Sequence, residues 1–223
     1  KGETVFEIQE VIRATNDMTE PEMIRLRALR ALFFGGLTLG DHRSLVPYLI
    51  SKGGHLTDLY RNIILKGPTH PVLHKTFEWL EGQISSEWFE SVEEAVLYLK
   101  DPKNNADFFG ENMFVKLNFA FTAYLLLHPD QYEAYYQQIE EEVCRLLPNE
   151  PKNIIHEIVK LCREQSFLYR CLHGDKSSNT SVKLSQPTLK ALKECGYLGS
   201  DSLIESENIF LNLNEVTANG ILD

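Results

Sequence analysis

The chain has 223 residues, 22 Lys+Arg against 32 Asp+Glu, a formal net charge of −10 and 43% hydrophobic residues. That length suits one domain, or one domain with a small appendage, and the apolar fraction excludes global disorder. The negative balance argues against nucleic acid and against an anionic membrane as partners, since either needs a basic face.

Thr4–Ile12 alternates apolar and polar residues, with frequent β-branched side chains, and reads as a strand. The chain enters it directly from Lys1, as expected of a piece cut from a larger protein. Thr19-Glu20-Pro21-Glu22 is a capping box that predicts a helix over Glu20–Phe34, ended by Gly35-Gly36. Asp41 caps a second helix over His42–Ser51, ended by Gly53-Gly54. A third covers Leu56–Leu65 and stops at Gly67-Pro68. His70 is the expected N-cap of a fourth, running to Glu81, with Pro71 in its first turn. Ser91-Val92-Glu93-Glu94 is a second capping box, opening a helix that ends at Lys100 before Asp101-Pro102.

The segment Glu111–Leu127 is apolar on nearly every face, which predicts a central helix covered all round. The next helix starts at Pro129, with His128 as N-cap. Its stripe is Tyr132, Tyr135, Tyr136, Ile139, Val143, Leu146 and Leu147, and Glu140, Glu141 and Glu142 read as a solvated face. A further helix covers Lys152–Leu172. Gly174–Ser181 is small and polar and reads as a joint. Beyond it come a short strand at Val182–Leu184, a helix over Pro187–Cys195 ended by Gly196, and a strand at Ile209–Leu213.

The expected fold class is mainly α, a multi-helix bundle with a few short strands near the chain ends. Residues 1–173 are expected to form the helical domain, and 174–223 a flexible joint with a small C-terminal appendage. An isolated strand leaves its backbone groups unpaired, so Val5–Ile12 and Ile209–Leu213 are expected to pair in a small sheet.

The chemical motifs are sparse. Cys144, Cys162, Cys171 and Cys195 are separated by 18, 9 and 24 residues, which fits no zinc or iron–sulfur spacing. They read as reduced thiols of a cytoplasmic protein. No secretory signal is visible, so Asn179-Thr180-Ser181 is expected to be a chance sequon. The most apolar run, Phe119–Leu127, has nine residues, against the ~20 a spanning helix needs. The glycine-rich run Gly35–Gly40 follows a helix rather than a strand, which is the wrong context for a phosphate loop. His70 and His74 have metal-like i, i+4 spacing, but no third ligand lies near in sequence. Helix capping is the plainer role. His128 sits at a helix start, and His156 and His173 are isolated. Tyr132, Tyr135 and Tyr136 are better placed for a core stripe than for stacking on a ligand.

Three passages carry a family resemblance. Ala14-Thr15-Asn16-Asp17-Met18-Thr19, followed by a helix rich in Arg and Leu, resembles the turn after the barrel in cobalamin-binding-domain radical SAM proteins. Trp88-Phe89-Glu90-Ser91-Val92-Glu93-Glu94-Ala95 is similar to their "L-F-x-[ST]-x-E-E-L" segment. Phe109–Lys116 is similar to their "G-x-N-x-L-x-x-Y" segment. The resemblance spans residues 5–172 and implies the C-terminal helical region of such a protein. It implies a 4Fe–4S cluster, S-adenosylmethionine and cobalamin in the parent, all held upstream. The CxxxCxxC and DxHxxG-type motifs that bind them are absent here. No catalytic, cofactor-binding or metal-binding residue is therefore assigned to this chain, and no cofactor is expected in it alone.

Three readings follow. The first is an inert accessory domain that covers the reaction chamber of a radical SAM enzyme, its partners being the missing N-terminal domains. The second is an independent helical module that binds a protein. The third is a helical enzyme with a metal at His70 and His74.

Overall fold

A computed structural model describes residues 13–86, 88–101, 117–165, 181–198 and 209–212. The fold is mainly α. The helices among the described residues are α1 (Glu20–Phe33), α2 (Leu45–Ser51), α3 (Leu56–Lys66), α4 (His74–Ser86), α5 (Val92–Lys100), α6 (Leu117–Leu127), α7 (Pro129–Leu146), α8 (Lys152–Gln165) and α9 (Gln186–Glu194). Strands β1 (Ser181–Leu184) and β2 (Ile209–Asn212) complete them.

The helix starts follow local chemistry. At α1, the Glu22 carboxylate accepts from the Thr19 backbone N–H at 2.8 Å and from its hydroxyl at 2.7 Å. At α5, Ser91 Oγ accepts from the Glu94 N–H at 3.1 Å. Glu94 reaches one residue past the expected box and accepts from the Glu90 N–H at 2.9 Å. The regular part of α4 begins at His74, four residues later than predicted, because 71–73 form a turn. His70 still caps it: its Nδ1 accepts from the N–H groups of Val72 and Leu73 at 3.1 and 3.2 Å.

Helix α7 is the packing centre. It lies against α3, α6 and α8, while α1 packs on α3, α4 and α6. Nine of its residues are buried, among them Tyr132, Tyr135, Tyr136, Ile139 and Val143. The predicted stripe is thus the core face. Helix α8 in turn packs on α2, β1 and α9. Val182, Leu184, Leu189 and Leu192 join the same apolar cluster as Ile155 and Ile158. The expected division at 173/174 lies outside the described residues.

The structure differs from the sequence reading at several places. Gly35-Gly36 does not end the first helix; the chain continues as a π-helical turn over Phe34–Thr38. His42 does not begin α2, which starts at Leu45 after a turn over 41–44. Helix α6 buries Ala120, Phe121, Ala123 and Leu125, yet Leu127 is exposed, so its last turn reaches the surface. The expected start of that helix, 111–116, lies outside the described residues, as do 166–172 of the helix predicted to end at Leu172. Glu142 is buried rather than solvated, because Lys66 and Arg145 both close on its carboxylate. The strand at 209–212 pairs antiparallel with β1, Val182 facing Leu211 and Leu184 facing Ile209. Its proposed partner Val5–Ile12 lies outside the described residues.

Phe121 is 2% exposed and meets the Tyr135 ring edge-on at 5.9 Å. Phe121→Ala is expected to cost about 3–5 kcal/mol, the range for a large aromatic removed from a closed core. Urea unfolding of the variant against the parent checks it.

Candidate functional site

Among the described residues, a concentration of buried polar side chains lies where α1 runs into the π-turn. The turn widens the backbone ladder step by step. Leu39 N–H donates to Phe34 O at 3.0 Å, then Asp41 N–H to Gly35 O at 3.2 Å and His42 N–H to Gly36 O at 3.1 Å. This swings Asp41 and His42 inward instead of letting them open a helix on the surface. Asp41, His42 and Ser44 are all buried. Turns of this width recur at functional sites in other helical proteins.

Four helices meet this turn. From α3, Tyr60 Oη lies 2.7 Å from His42 Nδ1. From α7, the Tyr135 ring stacks on the His42 ring at 6.0 Å and 26°, and Tyr136 meets it edge-on at 6.0 Å. From α6, the Thr122 hydroxyl donates to Asp41 Oδ2 at 3.4 Å. From α8, Cys162 Sγ is hydrogen-bonded to Ser44 Oγ at 3.0 Å. A recess with room for about one water molecule lies between Gly35, Gly36, Asp41, Thr122, Tyr132 and Tyr135.

Gly36 makes this convergence feasible. A Cβ there would lie 1.7 Å from Tyr60 Oη and 2.7 Å from His42 Nδ1. Any side chain would occupy the space of the hydrogen bond itself.

Burial sets the charge state of the imidazole, the phenols and the thiol in the cluster. It holds the His42 imidazole down to about 4, so the ring is neutral at neutral pH. It pushes the phenols of Tyr60, Tyr135 and Tyr136 far above their ordinary range. It pushes the Cys162 thiol up to about 11, which leaves a protonated, unreactive sulfur. His42 Nε2 is buried with no hydrogen-bond partner. The imidazole, the three phenols and the thiol are therefore neutral, and beside the buried Asp41 a phenol and an imidazole share one hydrogen bond. The cluster can hold or pass a proton internally, but offers no exposed nucleophile.

The residues singled out in the sequence lie elsewhere. His70 and His74 sit together at the start of α4. His70 Nδ1 serves the cap, and His74 Nδ1 donates to His70 O at 3.2 Å. Among the described residues no group of three or more His, Cys, Asp or Glu is placed to hold a metal ion. Cys144, Cys162 and Cys195 are free thiols on three different segments, and Cys171 lies outside the described residues, as does His173. His128 stands at the start of α7, but its ring turns back: Nδ1 donates to Tyr124 O at 2.7 Å and the ring stacks on Tyr124 at 4.2 Å. His156 pairs with Glu140 at 3.0 Å on the surface. No helix among the described residues is long and apolar enough to cross a membrane. Sequence reasoning missed His42 and Tyr60. The one local signal is a Gly-Gly pair followed six residues later by a histidine.

Two outcomes are expected. His42 has its pKa lowered from 6.5 to about 4, so between those values the unfolded chain binds a proton that the folded chain refuses. Its contribution is present in full above pH 6.5 and falls as pH drops towards 4, amounting to about 3 kcal/mol. An NMR titration of the His42 ring in the folded protein checks this by its midpoint. Second, Gly36→Ala is expected to destabilise by about 1–3 kcal/mol through overpacking. Tyr60→Phe removes the atom that clashes most, so the double variant loses less than the sum of the two single losses. A double-mutant cycle of unfolding free energies measures that coupling.

Comparison of the chain with protein-family models, with curated proteins and with solved structures finds no match.

Proposed function

We propose that this chain is the helical accessory domain of a larger cytoplasmic enzyme of the cobalamin-binding radical SAM type, and supplies a docking surface rather than reactive groups. The 4Fe–4S cluster, S-adenosylmethionine and cobalamin would be held by the N-terminal domains, which are its partners. Two of the three resembling passages stand at capped helix starts, at Thr19 and Ser91, in the order the family has them. The third, Phe109–Lys116, lies outside the described residues.

The observation that carries this reading is the placement of α5. Val92 and Leu97 are 56% and 73% exposed on it, and Ala95 is the one buried residue among its described side chains. Such a helix presents apolar surface outward. It also lies beside the point where the upstream chain joins the bundle. Arg13 is bonded to Glu90, just ahead of the α5 cap, and to Glu20 at the start of α1, and it lies over the Trp88 ring at 5.7 Å. A domain that precedes Arg13 in the chain is proposed to meet α5. Closing a radical reaction off from water is the chemical use of such a contact.

The reading frame upstream of Lys1 is the first test. It is expected to encode CxxxCxxC, and its absence would reject the proposal in favour of an independent binding module. The second uses the whole protein. Leu97→Asp is expected to change the stability of this chain by less than about 0.5 kcal/mol, as exposed substitutions do. In the full-length enzyme the same change should speed amide exchange across α5. Equal exchange in parent and variant would show that nothing docks there.

A further inference from the structure

We propose that the Tyr60–His42 pair is a redox-active site, where a one-electron oxidant draws an electron from the Tyr60 ring while the phenolic proton passes to His42 Nδ1. The inference does not depend on the family reading. It rests on three features of the pair. The two atoms are 2.7 Å apart, a short hydrogen bond along which a proton can move. Both side chains are wholly buried, so bulk water cannot serve as the base. His42 is neutral there and has a nitrogen free to take the proton.

The step balances. Tyr60 gives up one electron and its O–H proton and becomes a neutral phenoxyl radical. The oxidant gains the electron. With Tyr60 donating to Nδ1, the imidazole already carries its hydrogen on Nε2, so proton uptake at Nδ1 gives the imidazolium. Re-reduction by one electron returns the proton to the phenolic oxygen. No bond between heavy atoms is made or broken. The oxidant is of the high-potential one-electron class, an organic radical or an oxidised metal complex.

The electron has a route. Tyr135 and Tyr136 flank His42 at 6.0 Å, and the two rings are 5.6 Å from each other. Tyr136 meets Tyr132 at 5.0 Å, and Tyr132 lines the recess and bonds through its hydroxyl to Arg163 O at 3.2 Å. All three tyrosines line the recess, and the row runs in ring-to-ring steps from the pair across α7 to Tyr132, which is 7% exposed. Tyr60 has the imidazole Nδ1 of His42 in hydrogen-bond contact, and the radical is assigned to it on that ground.

The test is photo-oxidation of the purified protein by a flash-generated ruthenium(III) polypyridyl, followed by transient absorption and electron paramagnetic resonance. The expected result is a tyrosyl radical that forms at a rate independent of buffer concentration and slower in heavy water, because the proton goes to an internal base. Tyr60→Phe should abolish that buffer-independent phase. His42→Gln should slow it about a hundredfold, as loss of a positioned base does. A wild-type protein whose every radical phase speeds up with buffer concentration would overturn the proposal without recourse to variants. So would a folded Tyr60→Phe protein that keeps the phase, or a folded His42→Gln protein with the parent's rate. Circular dichroism establishes which variants are folded.

Discussion

The approach of the Gly36 backbone to the Tyr60–His42 hydrogen bond is the contact around which the bundle closes. It joins the end of α1, the turn before α2, and α3, and it sets the wall on which α7 packs. Burying an imidazole and a phenol without partners would cost several kcal/mol. Here each supplies the other's hydrogen bond at Oη and Nδ1, His42 Nε2 alone stays unpaired, and the tyrosines of α7 cover the imidazole with ring contacts. The arrangement needs a turn wide enough to bring His42 inward and a residue small enough to let the pair form. The π-turn supplies the first and Gly36 the second.

Much of the helical framework was legible in the sequence because the signals are local. Capping residues and prolines placed the starts of α1, α5, α7 and α9 close to where they lie. The apolar spacing of α7 named its buried face. The site was not legible, because no local rule distinguishes a glycine pair that stops a helix from one that widens it. That choice is made by Tyr60, which arrives from a helix over twenty residues downstream. The pairing of β1 with β2 was hidden for the same reason: four-residue strands carry too little pattern to choose a partner.

Glu142 shows a different kind of misreading. It stands three residues after Ile139 and seven after Tyr135, so by spacing it belongs on the core face. Its charge argued it onto the surface. The structure keeps the spacing and neutralises the charge with Lys66 from α3 and Arg145 one turn on. Burial alone would push the Glu142 carboxyl up, but the bonds from the two cations outweigh it and hold it below the ordinary value. Gln131, also inside α7, is met in the same way by Thr76 from α4. The buried face of α7 is thus patterned in polar anchors as well as in rings. Glu142 and Gln131 are met by two different neighbouring helices, α3 and α4, which fixes their rotation about α7 more narrowly than apolar contact would.

A π-turn holds one residue more than the α-helical path would use, and that gives this chain an unusual dependence on its length. Elsewhere in a helix, losing one residue shortens a loop or shifts a frayed end. Between Phe34 and Thr38 it would restore the ordinary ladder and rotate everything that follows by about 100° relative to α1. Asp41 and His42 would then face away from α3 and α7 even with every side chain retained. In relatives of this chain, a one-residue gap at this position would therefore mark the loss of the buried pair more surely than substitution of either partner.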